Sequence, residues 1–288
     1  MRVMSRRLRS AISDFRPYLR KANLPRLKLR AIAKRLGDVR DEDVALLALE
    51  ELKAKAKEPA AEGIEALAEE SRKRLKEAQS ALQKAIKGPA VDEFRKEFLT
   101  KLRAIAIVPL KKSSAKRPND EPLVMGRVGV EVIEARLKEL KAASAHIYFP
   151  FEIKGLHELR ILGKRLRYAI ELFAPCWGEE MEEIAKEVSL LQTSLGELHD
   201  CDVWIESLGA RLKQAARKDR SDEENARLRE GATWLLRYFA RERMEHYRDA
   251  LARWRQWEAD GFLDKLKSNL ARDMFPAKDS PPDIHQPG

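Results

Sequence analysis

Residues 160–173 read RILGKRLRYAIELF, and residues 2–15 read RVMSRRLRSAISDF. Laid over each other at a shift of 158, Arg2 meets Arg160, Arg6 meets Lys164, Arg7 meets Arg165 and Arg9 meets Arg167. The apolar positions coincide as well: Leu8 with Leu166, Ala11 with Ala169, Ile12 with Ile170, Phe15 with Phe173, and Pro17 falls on Pro175. A second pair of blocks, LGDVRDEDV from Leu36 and LGELHDCDV from Leu195, recurs at a shift of 159. Two blocks in the same order at nearly equal separation define an internal repeat, so the chain reads as two related halves.

Each repeated block has the period of a helix. At 100° per residue, His157, Arg160, Lys164 and Arg167 fall within an arc of roughly 80°, while Leu159, Leu162, Leu166, Ala169, Ile170 and Phe173 gather on nearly the opposite side. Arg165 lies apart from both groups. In the first half Arg2, Arg6 and Arg9 occupy the basic arc, and Met4, Leu8, Ala11, Ile12 and Phe15 the apolar one. An ordinary surface helix mixes carboxylates among its cations, because like charges at i,i+4 repel by a few tenths of a kcal/mol. Here the basic arc holds no carboxylate for three turns: Glu158 lies off it, and Glu171 comes only at its far end, beyond Arg167. A solvated face without a role is the bland reading, but it leaves the recurrence in both halves without a cause. Arginine offers a planar fork to phosphate oxygens and lysine a mobile point charge, so the pattern points to a polyanion. His157 heads the stripe. A lone helical histidine is more often a structural hydrogen-bonder, yet beside three cations its pKa should fall in the empty site and rise with an anion bound.

Composition narrows the fold. Of 288 residues, 57 are Lys or Arg and 47 Asp or Glu, giving a net charge of +10, while 44% are apolar, enough for a real core. Gly and Pro number 13 each, below ordinary usage, and the abundance of Ala, Leu, Glu, Lys and Arg predicts an all-α fold. Helices are expected over 1–20, 25–36, 39–57, 60–87, 90–106, 127–146, 152–174, 178–195, 198–217 and a broken 222–270. Pro25, Pro59 and Pro89 stand where a first helical turn tolerates them. The aperiodic KKSSAKRPNDEP (111–122) predicts a linker, set at 111–126, between a first half over 1–110 and a second over 127–270. The tail, 271–288, is expected to be disordered. Two cysteines, Cys176 and Cys201, exclude a disulfide framework and paired CxxC zinc sites and fit a reducing cytoplasm. No apolar run reaches membrane-spanning length, and MRVMSRRLRS lacks the apolar stretch of a signal peptide.

HELRILGKRLRYAIELF (157–173) followed by LLQTSLGELHDCDVW (190–204) resembles the second half of a CHAD domain, the conserved-histidine α-helical domain. RVMSRRLRSAISDF followed by LGDVRDEDVALL (36–47) resembles its first half, and the likeness runs from residue 1 to about 260. The H-x-x-R-x-x-x-K-R-x-R-Y spacing, from His157 to Tyr168, is the most specific part. The resemblance implies two helical bundles related by a pseudo-two-fold, enclosing a central basic channel for inorganic polyphosphate. Its contacts would be Arg2, Arg6, Arg9, His157, Arg160, Lys164 and Arg167, with Arg30 and Lys34 at basic positions of the family's second helix. At this shift the counterpart of His157 falls before Met1, which leaves Arg2 at the margin of the site. The family's module often accompanies a triphosphate tunnel enzyme domain, marked by an E-x-E-x-K strand. That motif is missing from this sequence, so a stand-alone binder without catalysis or cofactor is expected, cytoplasmic and associated with polyphosphate granules.

The acidic blocks hold Asp41, Asp43, Asp200 and Asp202, read as capping and dipole-complementing residues near helix starts, with ion pairs to the arginines as a further role. His199–Asp200 has the look of a metal-dependent phosphohydrolase dyad, but His146, His246 and His285 are scattered, and no metal is expected. No phosphate-cradling glycine loop or nucleophile elbow is present. The alternatives are a basic nucleic-acid-binding protein and, behind it, an enzyme acting on polyphosphate or a nucleotide. Single-strand binding would call for aromatic side chains among the cations. Only Tyr168 borders the stripe, and the five tryptophans read as packing residues.

Overall fold

A computed structural model describes residues 2–17, 24–86, 90–107, 125–215 and 222–271. Most of the expected linker, Pro89 and the tail beyond Ala271 lie outside them. Among the described residues the chain is all-α, with nine helices and no strand. These helices are α1 (Arg2–Asp14), α2 (Arg26–Lys55), α3 (Ala60–Ile86), α4 (Ala90–Ile107), α5 (Met125–Ala143), α6 (Ile153–Phe173), α7 (Glu179–Ala215), α8 (Asp222–Asp260) and α9 (Phe262–Ala271). Pro25 and Pro59 directly precede α2 and α3, where a missing N–H costs nothing. The expected break in 222–270 falls at Gly261, whose φ of +61° ends α8 with the left-handed residue that glycine adopts without strain.

Two expected breaks are absent. Helices foreseen over 25–36 and 39–57 are one helix, α2, and those over 178–195 and 198–217 are one helix, α7. The composition of LGDVRD and LGELHD suggests a stop and a new cap, but neither holds a proline. A mid-helix glycine costs only about 1 kcal/mol, which packing along the rest of a 30- or 37-residue helix outweighs. Asp41, Asp43, Asp200 and Asp202 therefore lie deep inside helices, and the capping role expected for them is overturned.

The described chain divides into two compact units. One comprises residues 1–116 and 196–247, the other 117–195 and 248–288, so α7 and α8 each contribute to both. In the first unit α2 and α3 pack along their length. Leu49, Leu52, Ile64 and Leu67 join Leu208, Leu228, Leu235 and Phe239 in its main core. A smaller cluster forms around Ile12, Leu24 and Leu29, flanked by Phe94 and Phe98. The backbones of α3 and α8 meet at a glycine pair. A Cβ on Gly63 would stand 2.1 Å from the Arg227 carbonyl oxygen, and one on Gly231 would stand 2.5 Å from the Gly63 carbonyl carbon. Inside this unit Arg243 Nε donates to Asp202 Oδ1 at 2.6 Å with both side chains buried. Asp202 thus neutralises a buried guanidinium.

In the second unit α5 packs on α6. Val132, Ile133, Leu137 and Leu140 of α5 are buried, as are Leu159, Leu162, Leu166, Ile170 and Phe173 of α6. Each such side chain contributes about 1.5–3 kcal/mol by leaving water. Lys141 and Asp264, 2.7 Å apart, tie α5 to α9. Trp257 Nε1 and Arg253 Nη1 both donate to Glu187 Oε1, at 2.9 and 2.7 Å, joining α8 to α7.

Gly63→Ala should lower the midpoint of thermal unfolding far more than an average core change, because its methyl would meet the rigid α8 backbone at Arg227 and Gly231. Gly37→Ala, in α2 with nothing within 4 Å of the added carbon, should be neutral or raise stability by about 0.4–1 kcal/mol. Leu166→Ala, at a residue with 0% exposure, should cost about 2–5 kcal/mol in denaturant unfolding.

Candidate anion-binding site

The buried face of α6 sets where its cations go. With Leu159, Leu162, Leu166, Ala169, Ile170 and Phe173 turned inward, His157, Arg160, Lys164 and Arg167 share the opposite face, each half-buried. The start of α6 is braced by Glu152, whose carboxylate accepts from His146 Nδ1 at 2.9 Å. The His146 ring lies so close to Gly155 that a Cβ there would stand 2.5 Å from it. Arg165 is 52% exposed and its nearest carboxylate is Glu139 of α5 at 3.9 Å, apart from the stripe as its angle requires.

The four stripe residues are not equivalent. Arg167, only 21% exposed, donates from Nη1 to Ser189 Oγ at 3.0 Å, and its Nε lies 3.5 Å from Glu171 Oε1. Its guanidinium also stands 5.0 Å from the centre of the Tyr168 ring. Glu171, one turn beyond Arg167 at the end of the stripe, therefore matters, since it gives Arg167 an internal counter-ion. Arg160 differs, with no carboxylate of a described residue within ion-pair distance. His157 and Lys164 have partners inside the protein. His157 is held below the ordinary histidine pKa, by burial first and then by the charges of Arg160 and Lys164. The direction matches the expectation from its neighbours, although desolvation is the larger cause.

The first-half residues lie in the other compact unit. Arg6 is half-buried and engaged within the protein, while Arg9, Arg30 and Lys34 are exposed. Arg30 and Lys34 share one face of α2 at i,i+4 spacing. Arg2 belongs to α1, but its side chain is outside the described set. The apolar arc of α1 is less covered than that of α6: Ile12 is buried, whereas Met4 and Leu8 are exposed.

Other groups hold less promise for an anion. The cavity of about 590 Å³ bordered by Lys53, Glu58, Glu62, Glu65 and Arg227 has both its cations matched by carboxylates: Lys53 with Glu65 at 2.9 Å and Arg227 with Glu62 at 3.2 Å. Arg40 pairs with Asp43 at 3.3 Å, and His246 with Glu197 at 3.1 Å. Among the described residues no three His, Cys, Asp or Glu side chains gather as a metal ion would need. Both cysteines are free, and burial pushes the Cys201 thiol up to about 12, which keeps it an unreactive thiol. No helix among the described residues is long and apolar enough to cross a membrane.

The residues that sequence reasoning passed over are Phe149, Phe151 and Ile153, exposed just before the stripe. Their signal was the apolar run YFPF at 148–151, where a polar turn is the rule. Tyr168, by contrast, is buried.

This is an all-α protein organised around basic and apolar helical faces. A model of the CHAD domain matches residues 1–209, and the chain belongs to that family, which is associated with polyphosphate binding. The match ends short of the span to about 260 that the likeness of the motifs suggested. Comparison with curated proteins gave no match.

The lowered pKa of His157 has a consequence for stability. Its unfolded value is the higher one, so the unfolded chain takes up the proton first. This contribution to stability is complete above pH 6.5 and declines as pH falls below that value. Thermal melts between pH 7.5 and about 5.5 should show a smaller acid loss for His157→Gln than for the parent. Identical acid losses would show that this imidazole does not titrate abnormally.

Proposed function

We propose that this chain binds inorganic polyphosphate through the basic face of α6, with Arg160, Lys164 and His157 as contacts and Arg167 as a partly committed fourth. The observation that carries the reading is the α6 stripe: four cationic or protonatable side chains on one half-buried face, with Arg160 lacking a carboxylate partner among the described residues. Partial burial strengthens each charge–phosphate interaction relative to open solvent, and a ligand with a charge on every unit matches cations repeated at helical spacing. Family membership supports the same ligand class. The finer form of the reading has one polyphosphate chain engaging Arg6, Arg9, Arg30 and Lys34 of the first half as well, in a central basic channel. The protein acts in this reading as a cytoplasmic binder that leaves its ligand intact. Among the described residues, no carboxylate group is gathered to hold the metal ions on which phosphoryl transfer relies.

Competition titrations at about 0.15 M salt, where exposed charges are screened, test the reading. Long polyphosphate should displace a labelled polyphosphate at lower phosphate concentration than duplex DNA does. Equal displacement by DNA would favour a general nucleic-acid binder instead. Arg160→Ala should weaken polyphosphate binding about tenfold, the scale of one charge-assisted hydrogen bond, and flatten its salt dependence. Arg165→Ala, on the other side of the helix, should change it far less. Equal losses for the two would mean that net charge alone governs binding. Incubation with polyphosphate and Mg²⁺ or Mn²⁺ should release no orthophosphate above a heat-killed control, and release that persists through repurification would make the protein an enzyme.

A further inference from the structure

The segment from Tyr148 to Ile153 places large apolar side chains in solvent directly ahead of the α6 stripe. Phe151 is 82% exposed, Phe149 57% and Ile153 51%. Exposed apolar side chains scattered singly need no account, but three within five residues form a patch. The segment is held from behind. Tyr148 donates its hydroxyl proton to Glu258 Oε2, and the other oxygen of that carboxylate accepts from Trp254 Nε1 at 2.9 Å. Glu152 N–H donates to the Phe149 carbonyl at 3.1 Å and Ile153 N–H to the Phe151 carbonyl at 3.0 Å. The two phenyl rings are thus displayed on an anchored turn, and Glu152, which follows Phe151 in sequence, is already paired with His146.

Position relates this patch to the cations. At 100° per residue Ile153 falls within about 40° of both His157 and Arg160, on the same face of α6. Phe151 precedes His157 by no more than about 13 Å of backbone. An aromatic surface therefore leads into a line of phosphate-binding groups. We infer that Phe149 and Phe151 form a stacking site for a nucleobase carried at the end of a phosphate chain, so that the site accepts nucleoside oligophosphates with their phosphates along His157, Arg160 and Lys164. This inference rests on the phosphate-binding reading of α6. A single terminal base fits better than a strand with a base on every phosphate, which needs aromatic platforms repeated along its path. Further along α6 the aromatic side chain at the stripe's edge, Tyr168, is buried beside the Arg167 guanidinium and offers no such platform.

The test compares adenosine 5′-tetraphosphate with inorganic tetraphosphate by calorimetric titration of the full chain at about 0.15 M salt. The nucleotide should bind about tenfold more tightly, as expected of one base on an aromatic side chain. Phe151→Ala should remove that advantage while leaving affinity for inorganic tetraphosphate unchanged, and Phe151→Trp should keep it. Both changes are at an exposed position, and unaltered thermal melts verify the fold. Equal affinity of the parent for the two ligands, with inorganic tetraphosphate still sensitive to Arg160→Ala, would overturn the stacking site and leave the phosphate reading standing. Failure of both ligands to bind would remove the two readings together. An oligodeoxyadenylate of equal phosphate count that binds more tightly than the nucleotide, or phosphatidylglycerol vesicles captured in a Phe151-dependent way, would assign the patch to a single strand or a lipid surface and overturn the inference.

Discussion

Burial of Leu159, Leu162, Leu166, Ile170 and Phe173 fixes the rotation of α6 about its own axis, and the placement of every cation on that helix follows from it. A helix with one apolar arc has one orientation that removes that arc from water. The free energy at stake is several side chains at about 1.5–3 kcal/mol each. Repulsion along the basic face is far smaller, a few tenths of a kcal/mol per like pair. Packing therefore wins by an order of magnitude and holds like charges together on one side. The charged face is a consequence of the core, maintained at a modest electrostatic cost that an anionic ligand can offset.

Within that face the protein treats its cations differently. Arg167 is surrounded by Ser189, Glu171 and the Tyr168 ring, so part of its hydrogen-bonding capacity is spent on holding α6 to α7 and to its own helix. Its Nε is buried without a hydrogen bond, 3.5 Å from Glu171. Arg160 has no such carboxylate among the described residues. A ligand meeting Arg160 gains the full charge-assisted bond, whereas one meeting Arg167 displaces existing partners and gains only the difference. In the proposed reading the binding weight therefore lies toward the head of α6, with His157, Arg160 and Lys164, where the exposed phenylalanines begin.

The all-α class, the opposed faces of α6 and the isolation of Arg165 could be read from the sequence because period alone decides them. The long helices could not. LGDVRD and LGELHD hold Gly and Asp, residues of helix ends, yet α2 and α7 run through them, because local propensity differences near 1 kcal/mol yield to packing over eight or more turns. That error carried Asp41, Asp43, Asp200 and Asp202 into capping roles they do not have, and hid the buried Asp202–Arg243 pair, whose members are 41 residues apart. The aromatic turn escaped for a different reason. An apolar run before a helix normally packs against the first turn as a staple, and only coordinates distinguish a phenylalanine that folds back from one, such as Phe151, that stands in solvent.

The two matching stretches of sequence also show how far a shared pattern determines a shared environment. Leu8 and Leu166 occupy matching places in the two sequences, yet Leu166 is fully buried and Leu8 is exposed. In the second unit α5 lies along α6 and supplies Val132, Ile133, Leu137 and Leu140. In the first unit α1 packs against α2, with Ile12 buried in a small cluster, while Met4 and Leu8 remain uncovered. A helix with less of its apolar arc buried is held less firmly in rotation, because less free energy is lost when it turns. The cations on such a helix are positioned less sharply, and positional precision is what converts a run of charges into a binding site. Matching sequence therefore leaves α1 and α6 with different degrees of cover, and only α6 has its rotation set by a fully buried arc.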